Sequence, residues 1–151
     1  MKHESKIENF IGIYDNYIPK QQCEDAIKLF ETQNKFNQTV NRQTFEGVGI
    51  NLKKDDMLFC GGWNMEVWWE DLKSIMANYN LSFNHYLKET GGDAAYDHGE
   101  FHFTQLKVQK TMPAGGYHQW HIEHMRGSKG EARAFVFAIY LNDVEEGGET
   151  E

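Results

Sequence analysis

The hydrophobic positions of the chain follow a helical period in two segments. Apolar residues that recur every three or four positions are typical of a helix with one buried face. This pattern predicts a helix over residues 20–33, where Pro19 suits the first turn. It predicts a longer helix over residues 65–79, and apolar positions beyond the polar Asn80 leave a continuation to residue 87 open. The face that we expect in the core consists of Met65, Trp68, Trp69, Leu72, Ile75, Met76 and Tyr79.

Shorter apolar stretches, several of them alternating with polar residues, predict strands. The predicted strands cover residues 7–17, 44–51, 57–60, 101–111, 117–124 and 132–141. Glycine, proline or polar residues dominate positions 91–100 and 113–116, which are expected to form a loop and a turn. Because the helices come first and closely spaced strands follow, the order predicts an α+β fold with helices packed on an antiparallel sheet or barrel.

The composition indicates one folded domain. Its 151 residues match the usual size of a single domain, here residues 1–151. Hydrophobic residues make up 40% and aromatic residues 14%, which excludes a disordered acidic chain. The net charge of -8 opposes binding to nucleic-acid phosphates, so no nucleic-acid partner is expected.

Neither a membrane segment nor a disulfide framework is expected. The longest strongly apolar run, residues 134–141, is far shorter than the roughly 20 residues of a membrane helix. The first residues contain no apolar stretch typical of a secretion signal. Cys23 and Cys60 are too few for a disulfide framework and are expected to be reduced thiols. Together these features predict a cytoplasmic protein.

Candidate chemistry is concentrated in the heptapeptide His-Gln-Trp-His-Ile-Glu-His, residues 118–124. On a strand alternate side chains share a face, so His121 and Glu123 can bind one metal ion while the other two histidines point away. One imidazole and one carboxylate, completed by a further histidine, form the facial triad that suits Fe(II). A histidine-rich zinc site is the alternative. Trp120 is expected to pack beside the site.

A longer pattern surrounds the heptapeptide. An aromatic residue and His-x-Glu are followed by a variable loop, Arg133, an apolar stretch ending in Tyr-Leu-Asn, and Gly-Gly-Glu-Thr. Residues 117–151 thereby resemble the catalytic core of the 2-oxoglutarate/Fe(II) oxygenases of the prolyl 4-hydroxylase type. The resemblance implies a double-stranded β-helix, a jelly-roll or cupin-like barrel, with N-terminal helices packed on its major sheet. Residues 1–100 would then support residues 101–151, the first part of the catalytic barrel.

The resemblance also implies an activity and a site. The activity is hydroxylation of a peptidyl side chain, with proline as the leading substrate, coupled to dioxygen and to release of succinate and CO2. His121 and Glu123 would bind Fe(II) as the catalytic residues. Tyr140 and Tyr117 would contact the 2-oxoglutarate cosubstrate, and ascorbate is a further candidate cofactor. Glu123 stands where the family more often has aspartate, and Tyr117 lies one residue farther from His121 than is usual.

Two other functions stay open. One is hydroxylation of a small molecule such as a free amino acid, because the motif does not define the substrate. The other is a non-catalytic β-barrel binding module, because a distal histidine and a basic residue that the family uses have no counterpart after Gly-Gly-Glu-Thr. A barrel without its last strands has an open edge, so we expect the C-terminal strands to be missing and the chain to be part of a longer domain.

Overall fold

The computed structural model describes residues 4–45, 53–61, 64–92, 106–117, 119–121 and 133–148. The chain divides into two compact units. The first comprises Met1–Thr39 and Leu58–Val108, and the second comprises Val40–Met57 and Gln109–Glu151. The elements follow in the order β1 (Glu4–Glu8), β2 (Ile11–Asp15), α1 (Lys20–Lys35), β3 (Val40–Asn41), α2 (Arg42–Phe45), β4 (Lys53–Lys54), β5 (Asp56–Phe59), α3 (Asn64–Thr90), β6 (Lys107–Lys110) and β7 (Gly116–Tyr117).

The first unit begins with an antiparallel hairpin of β1 and β2, in which Glu8 pairs with Ile11. Asn9 and Phe10 form the two-residue turn between them. Both have positive φ, as in the type I′ turn that suits the right-handed twist of a hairpin. The sequence pattern predicts one strand-like segment over residues 7–17, so it is right about the strand character and misses the turn.

The hairpin packs against α3 through two tyrosines. The Tyr14 hydroxyl lies 3.1 Å from Nδ1 of His85. The Tyr86 hydroxyl donates a hydrogen bond of 2.7 Å to the carbonyl of Phe10, in the hairpin turn. A Cβ at Gly12 would lie 2.9 Å from the Tyr86 ring, so the absence of a side chain at this position lets the strand approach the helix closely.

Helices α1 and α3 provide the apolar core of the first unit. Their buried residues are Cys23, Ala26, Phe30, Leu72, Ile75, Met76, Tyr79, Ser82 and Leu87. Helix α1 confirms the shorter predicted helix, and α3 continues through Asn80, whose side chain is exposed. The expected core face is wrong at Trp69, which is 42% exposed. The described side chains of residues 66–71 are all exposed or half-buried, so the start of α3 is not covered.

The predicted strand over residues 44–51 is wrong where the structure describes it, because Arg42–Phe45 forms α2. Asn41 precedes this helix and its Oδ1 accepts a hydrogen bond of 3.1 Å from the backbone N–H of Gln43. The Thr44 hydroxyl donates to the Asn41 carbonyl at 2.9 Å. These local bonds satisfy the first turn of a helix and compete with an extended backbone. The remaining residues of the predicted strand, 46–51, lie outside the described residues.

The described strands form small sheets with the orders β1–β2, β3–β5–β6 and β4–β7. Strands β3 and β5 pair antiparallel, as do β4 and β7. Strand β5 confirms the prediction over residues 57–60. Strand β6 confirms the last part of the prediction over residues 101–111, of which 101–105 lie outside the described residues.

Of the last two predicted strands, the one over residues 117–124 is present only at Tyr117 among its described residues, and the one over residues 132–141 is not formed in its described part, 133–141. Strand β7 ends at Tyr117, and residues 119–121 and 133–141 are not in a strand. The side chains of residues 133–141 nevertheless alternate between half-buried and exposed, as in an extended chain. The double-stranded β-helix stays a prediction.

Both cysteines are buried free thiols, which confirms that Cys23 and Cys60 do not form a disulfide. Burial raises the pKa of the Cys60 thiol to about 11, so this thiol keeps its proton near neutral pH. Among the described residues, no helix combines the length and the apolar character that crossing a membrane requires.

Candidate metal-binding site

A tight turn before β7 brings the start of the heptapeptide region against β4. The Gly115 backbone N–H donates to the carbonyl of Met112 at 2.7 Å, and Ala114 within this turn has a φ of 62°. A Cβ at Gly115 would lie 2.5 Å from the Lys54 carbonyl oxygen, closer than real Cβ atoms approach. Glycine at this position therefore lets the turn pack against β4, and the turn predicted over residues 113–116 is confirmed.

Strand β4 sets the position of Tyr117. The register places Lys53 opposite Tyr117 and Lys54 opposite Gly116. Residues directly opposite each other in an antiparallel pair project from the same face. Accordingly, the Lys53 Nζ lies over the Tyr117 ring, 5.3 Å from its centroid, at a distance typical of a cation–π interaction.

Two described contacts orient the His121 ring. Its ring centroid lies 4.5 Å from that of Tyr117, with the ring planes tilted by 53°. Its Nδ1 lies 3.0 Å from the backbone carbonyl of Gln119. A carbonyl oxygen only accepts hydrogen bonds, so Nδ1 must carry the proton, and in the neutral ring the lone pair is on Nε2. Metal-binding histidines commonly use this arrangement, in which one nitrogen donates to a carbonyl and the other binds the metal.

The second predicted ligand, Glu123, lies outside the described residues, as do His118 and His124. The pairing of His121 with Glu123 therefore stays a prediction. This prediction depends on side chains alternating along a strand. Residues 119–121 are described and are not in a strand, so they do not support it. Within the described part of the chain, no three His, Cys, Asp or Glu residues form a group that could hold a metal ion.

The other aromatic residues predicted for the site are exposed. Trp120 is 82% exposed, so the expectation that it packs beside the site is wrong in this structure. Tyr140 is 68% exposed and lies in the extended segment 133–141. Its role as a cosubstrate contact stays a prediction.

A buried ion pair that the sequence analysis missed supports the same unit. The Arg42 guanidinium donates through Nε and Nη2 to the two carboxylate oxygens of Asp55. The Arg42 backbone N–H also donates to the Asp55 carbonyl at 3.1 Å, and Gln109 Nε2 lies 3.4 Å from the carboxylate. The pair joins α2 to the residue between β4 and β5. No local pattern could have identified it, because its partners are 13 residues apart in sequence.

A shallow cleft of about 210 Å³ lies beside this ion pair. Its lining residues include Asn41, Lys54, Asp56, Lys110 and Pro113. Consecutive residues of a strand project from opposite faces, so the side chain of Lys54 projects from the face of β4 opposite the one that carries Lys53 and Tyr117.

Comparisons with known protein families, with curated proteins and with solved structures find no match to this chain. Interpretation of the site therefore depends on the sequence pattern of residues 117–151 and on the geometry around Tyr117 and His121.

Proposed function

We propose that this chain is a 2-oxoglutarate- and Fe(II)-dependent dioxygenase that hydroxylates a peptidyl side chain, with proline as the first candidate substrate. The observation that supports the proposal is the contact between His121 Nδ1 and the Gln119 carbonyl, which leaves the Nε2 lone pair of the neutral ring available to a metal ion. The residue types His121 and Glu123 support the choice of metal, because one histidine and one carboxylate, completed by a further histidine, suit Fe(II) with open coordination positions.

The proposal assigns a role to each of four residues. His121 binds Fe(II) through Nε2, and Glu123 binds it through its carboxylate. Bound Fe(II), together with 2-oxoglutarate and dioxygen, supplies the oxidation of a substrate C–H bond with release of succinate and CO2. Tyr117 lies against the His121 ring and limits its rotation, and it is also a proposed contact of 2-oxoglutarate. Tyr140 donates its hydroxyl to a carboxylate of 2-oxoglutarate.

Metal binding is the first test. Titration calorimetry with Fe(II) under anaerobic conditions should detect binding to the wild-type chain. His121→Ala should abolish tight binding, because the remaining carboxylate makes a single weak contact, and Glu123→Ala should do nearly the same. His118→Ala and His124→Ala are matched controls in the same heptapeptide and should change the affinity little. Loss of metal in His124→Ala together with its retention in Glu123→Ala would show that the ligand assignment is wrong.

Cosubstrate binding and turnover are the second test. The full-length protein should form succinate from 2-oxoglutarate only when Fe(II), dioxygen and a proline-containing peptide are present. Tyr140→Phe removes one hydrogen bond to a charged carboxylate, which is worth about 1.5–3 kcal/mol, so the affinity for 2-oxoglutarate should fall roughly ten- to hundredfold. An unchanged affinity for 2-oxoglutarate would show that Tyr140 does not contact the cosubstrate.

The same assay separates the alternatives. Succinate formation with free amino acids and none with peptides would favour a small-molecule hydroxylase. Binding of Fe(II) without succinate formation from any substrate would favour a non-catalytic binding module.

A further inference from the structure

Lys53 lies next to the candidate site and is not part of the sequence motif. Lys53 is half-buried, and its Nζ lies 5.3 Å from the centroid of the Tyr117 ring. Tyr117 in turn lies 4.5 Å from the ring of His121. Together these side chains form a row of contacts, here called the Lys53–Tyr117–His121 row. Lys53 lies in a different part of the chain from the heptapeptide and reaches it through the pairing of β4 with β7.

Each step of this row has a physical basis. The face of a tyrosine ring carries partial negative charge, so an ammonium group over it is attracted, and a half-buried pair is screened less by water than an exposed one. Tyr117 is the last residue of β7 and is half-buried. Because Lys53 holds the Tyr117 ring, the ring stays in a fixed position against His121. The Gln119 carbonyl fixes Nδ1 of that imidazole, and Tyr117 restricts the tilt of its plane.

We infer that Lys53 is a positioning residue, which holds Tyr117 against His121 and thereby orients the Nε2 lone pair. The structural part of the inference, that Lys53 holds Tyr117 against His121, rests on the described contacts alone. Its consequence for metal binding rests on the proposed function. Lys53 does not touch the metal or the substrate in this assignment. Its effect passes through the Tyr117 ring, so it depends on a cation over that ring rather than on the mere presence of a long side chain.

The structural part is tested on the metal-free protein by NMR. The Tyr117 ring should shift the His121 ring protons through its ring current and should give nuclear Overhauser contacts with them. Lys53→Met should weaken these contacts and move the His121 ring resonances toward those of an unstructured histidine. Lys53→Arg should retain them, because guanidinium also binds over an aromatic face. Lys53→Gln has a shorter stem and a neutral polar end, and it serves as a second neutral variant if Lys53→Met does not fold.

Lys54→Met is the matched control. It removes the same charge from the neighbouring residue, whose side chain projects from the other face of β4. The His121 resonances should stay unchanged in this variant. Retention of the Tyr117–His121 contacts in a folded Lys53→Met or Lys53→Gln variant would overturn the inference, as would their equal loss in Lys54→Met.

The consequence is tested by anaerobic Fe(II) titration of the same variants. Lys53→Met should weaken Fe(II) binding roughly two- to tenfold relative to Lys54→Met, which corrects for the loss of one positive charge near the metal. Lys53→Arg should bind as tightly as the wild type. If the wild type binds no Fe(II), the proposed function fails while the NMR comparison still decides the role of Lys53. If the wild type binds Fe(II) and Lys53→Met binds it equally, the positioning role alone is wrong.

Discussion

The helical core of the first unit and the candidate site of the second are stabilised in different ways. In α1 and α3, apolar side chains at helical spacing are buried along most of two long elements. In the region of β4 and β7, the strands are two residues long and the candidate ligand His121 is exposed. Burial in the first unit is shared by many residues, whereas the geometry of the site depends on a few specific contacts. Functional side chains often occur on such irregular segments, because they must stay accessible.

This difference has consequences for mutation. A distributed apolar core loses stability in proportion to the buried volume that is removed. In the second unit, the described buried ion pair and the close backbone approach at Gly115 should respond more strongly to mutation than exposed positions do. Four experiments test this comparison.

The largest effect is expected at the ion pair of the second unit. Asp55→Ala leaves the Arg42 guanidinium buried without its carboxylate partner, which should cost about 3–5 kcal/mol of unfolding free energy. The double variant Arg42→Met/Asp55→Leu removes both charges and should be closer to the wild type than Asp55→Ala is. Urea denaturation followed by circular dichroism measures all three. A loss of less than about 1 kcal/mol in Asp55→Ala would show that the pair is not the anchor of this unit.

The core of the first unit offers a matched pair of leucines in one helix. Leu72 is 3% exposed and Leu81 is 65% exposed. Leu72→Ala creates a cavity and should cost about 2–5 kcal/mol. Leu81→Ala removes the same atoms from the surface and should stay within about 0.5 kcal/mol of the wild type. Similar losses in the two variants, measured by the same denaturation, would contradict the assignment of the core to this face of α3.

Close backbone packing at the turn before β7 predicts a smaller effect. Gly115→Ala places a Cβ against the Lys54 and Met112 carbonyl oxygens and should cost about 1–3 kcal/mol through overpacking. In the same variant the Tyr117–His121 contacts should weaken, since β7 follows this turn directly. Gly147 has open space around its Cβ position and a positive φ of 78°. Gly147→Ala is therefore the control for backbone strain without a clash, and it should leave the Tyr117–His121 contacts intact.

Alkaline pH provides the mildest test, and it acts on the first unit. Burial raises the pKa of Cys60 from 9.0 to about 11 and that of Tyr79 from 10.0 to about 12. Between pH 9 and 11 the unfolded chain loses the Cys60 proton while the folded chain keeps it, so the free energy of unfolding falls as pH rises. Tyr79 extends this fall toward pH 12. Below pH 9 neither Cys60 nor Tyr79 makes the free energy of unfolding depend on pH.

Two variants show how much of the fall in unfolding free energy at alkaline pH comes from Cys60 and how much comes from Tyr79. Cys60→Ala should flatten the dependence between pH 9 and 11, and Tyr79→Phe should flatten it between pH 10 and 12. Denaturation curves across this range measure both. An unchanged slope in both variants would mean that these buried groups ionise as readily in the folded chain as in the unfolded one.

Local sequence patterns determined the turns that depend on neighbouring residues and the helices whose apolar positions recur at helical spacing. The helix over residues 20–33 is present as α1, and the longer pattern forms α3, because apolar positions at helical spacing specify a buried face. The turn over residues 113–116 is present for an equally local reason, its glycines. The heptapeptide identified His121 as a candidate ligand, and its Nδ1 contact with Gln119 is also local.

Only the tertiary structure decided which residues meet across the chain and which side chains are covered. The Arg42–Asp55 pair and the contact of Lys53 with Tyr117 depend on the register of strands that no local pattern specifies. Exposure of Trp69 and Trp120 likewise depends on whether another segment covers them. A hydrophobic period shows that one face of an element prefers burial, but it does not identify the partner. That choice is made by the summed packing and hydrogen bonding of residues distant in sequence.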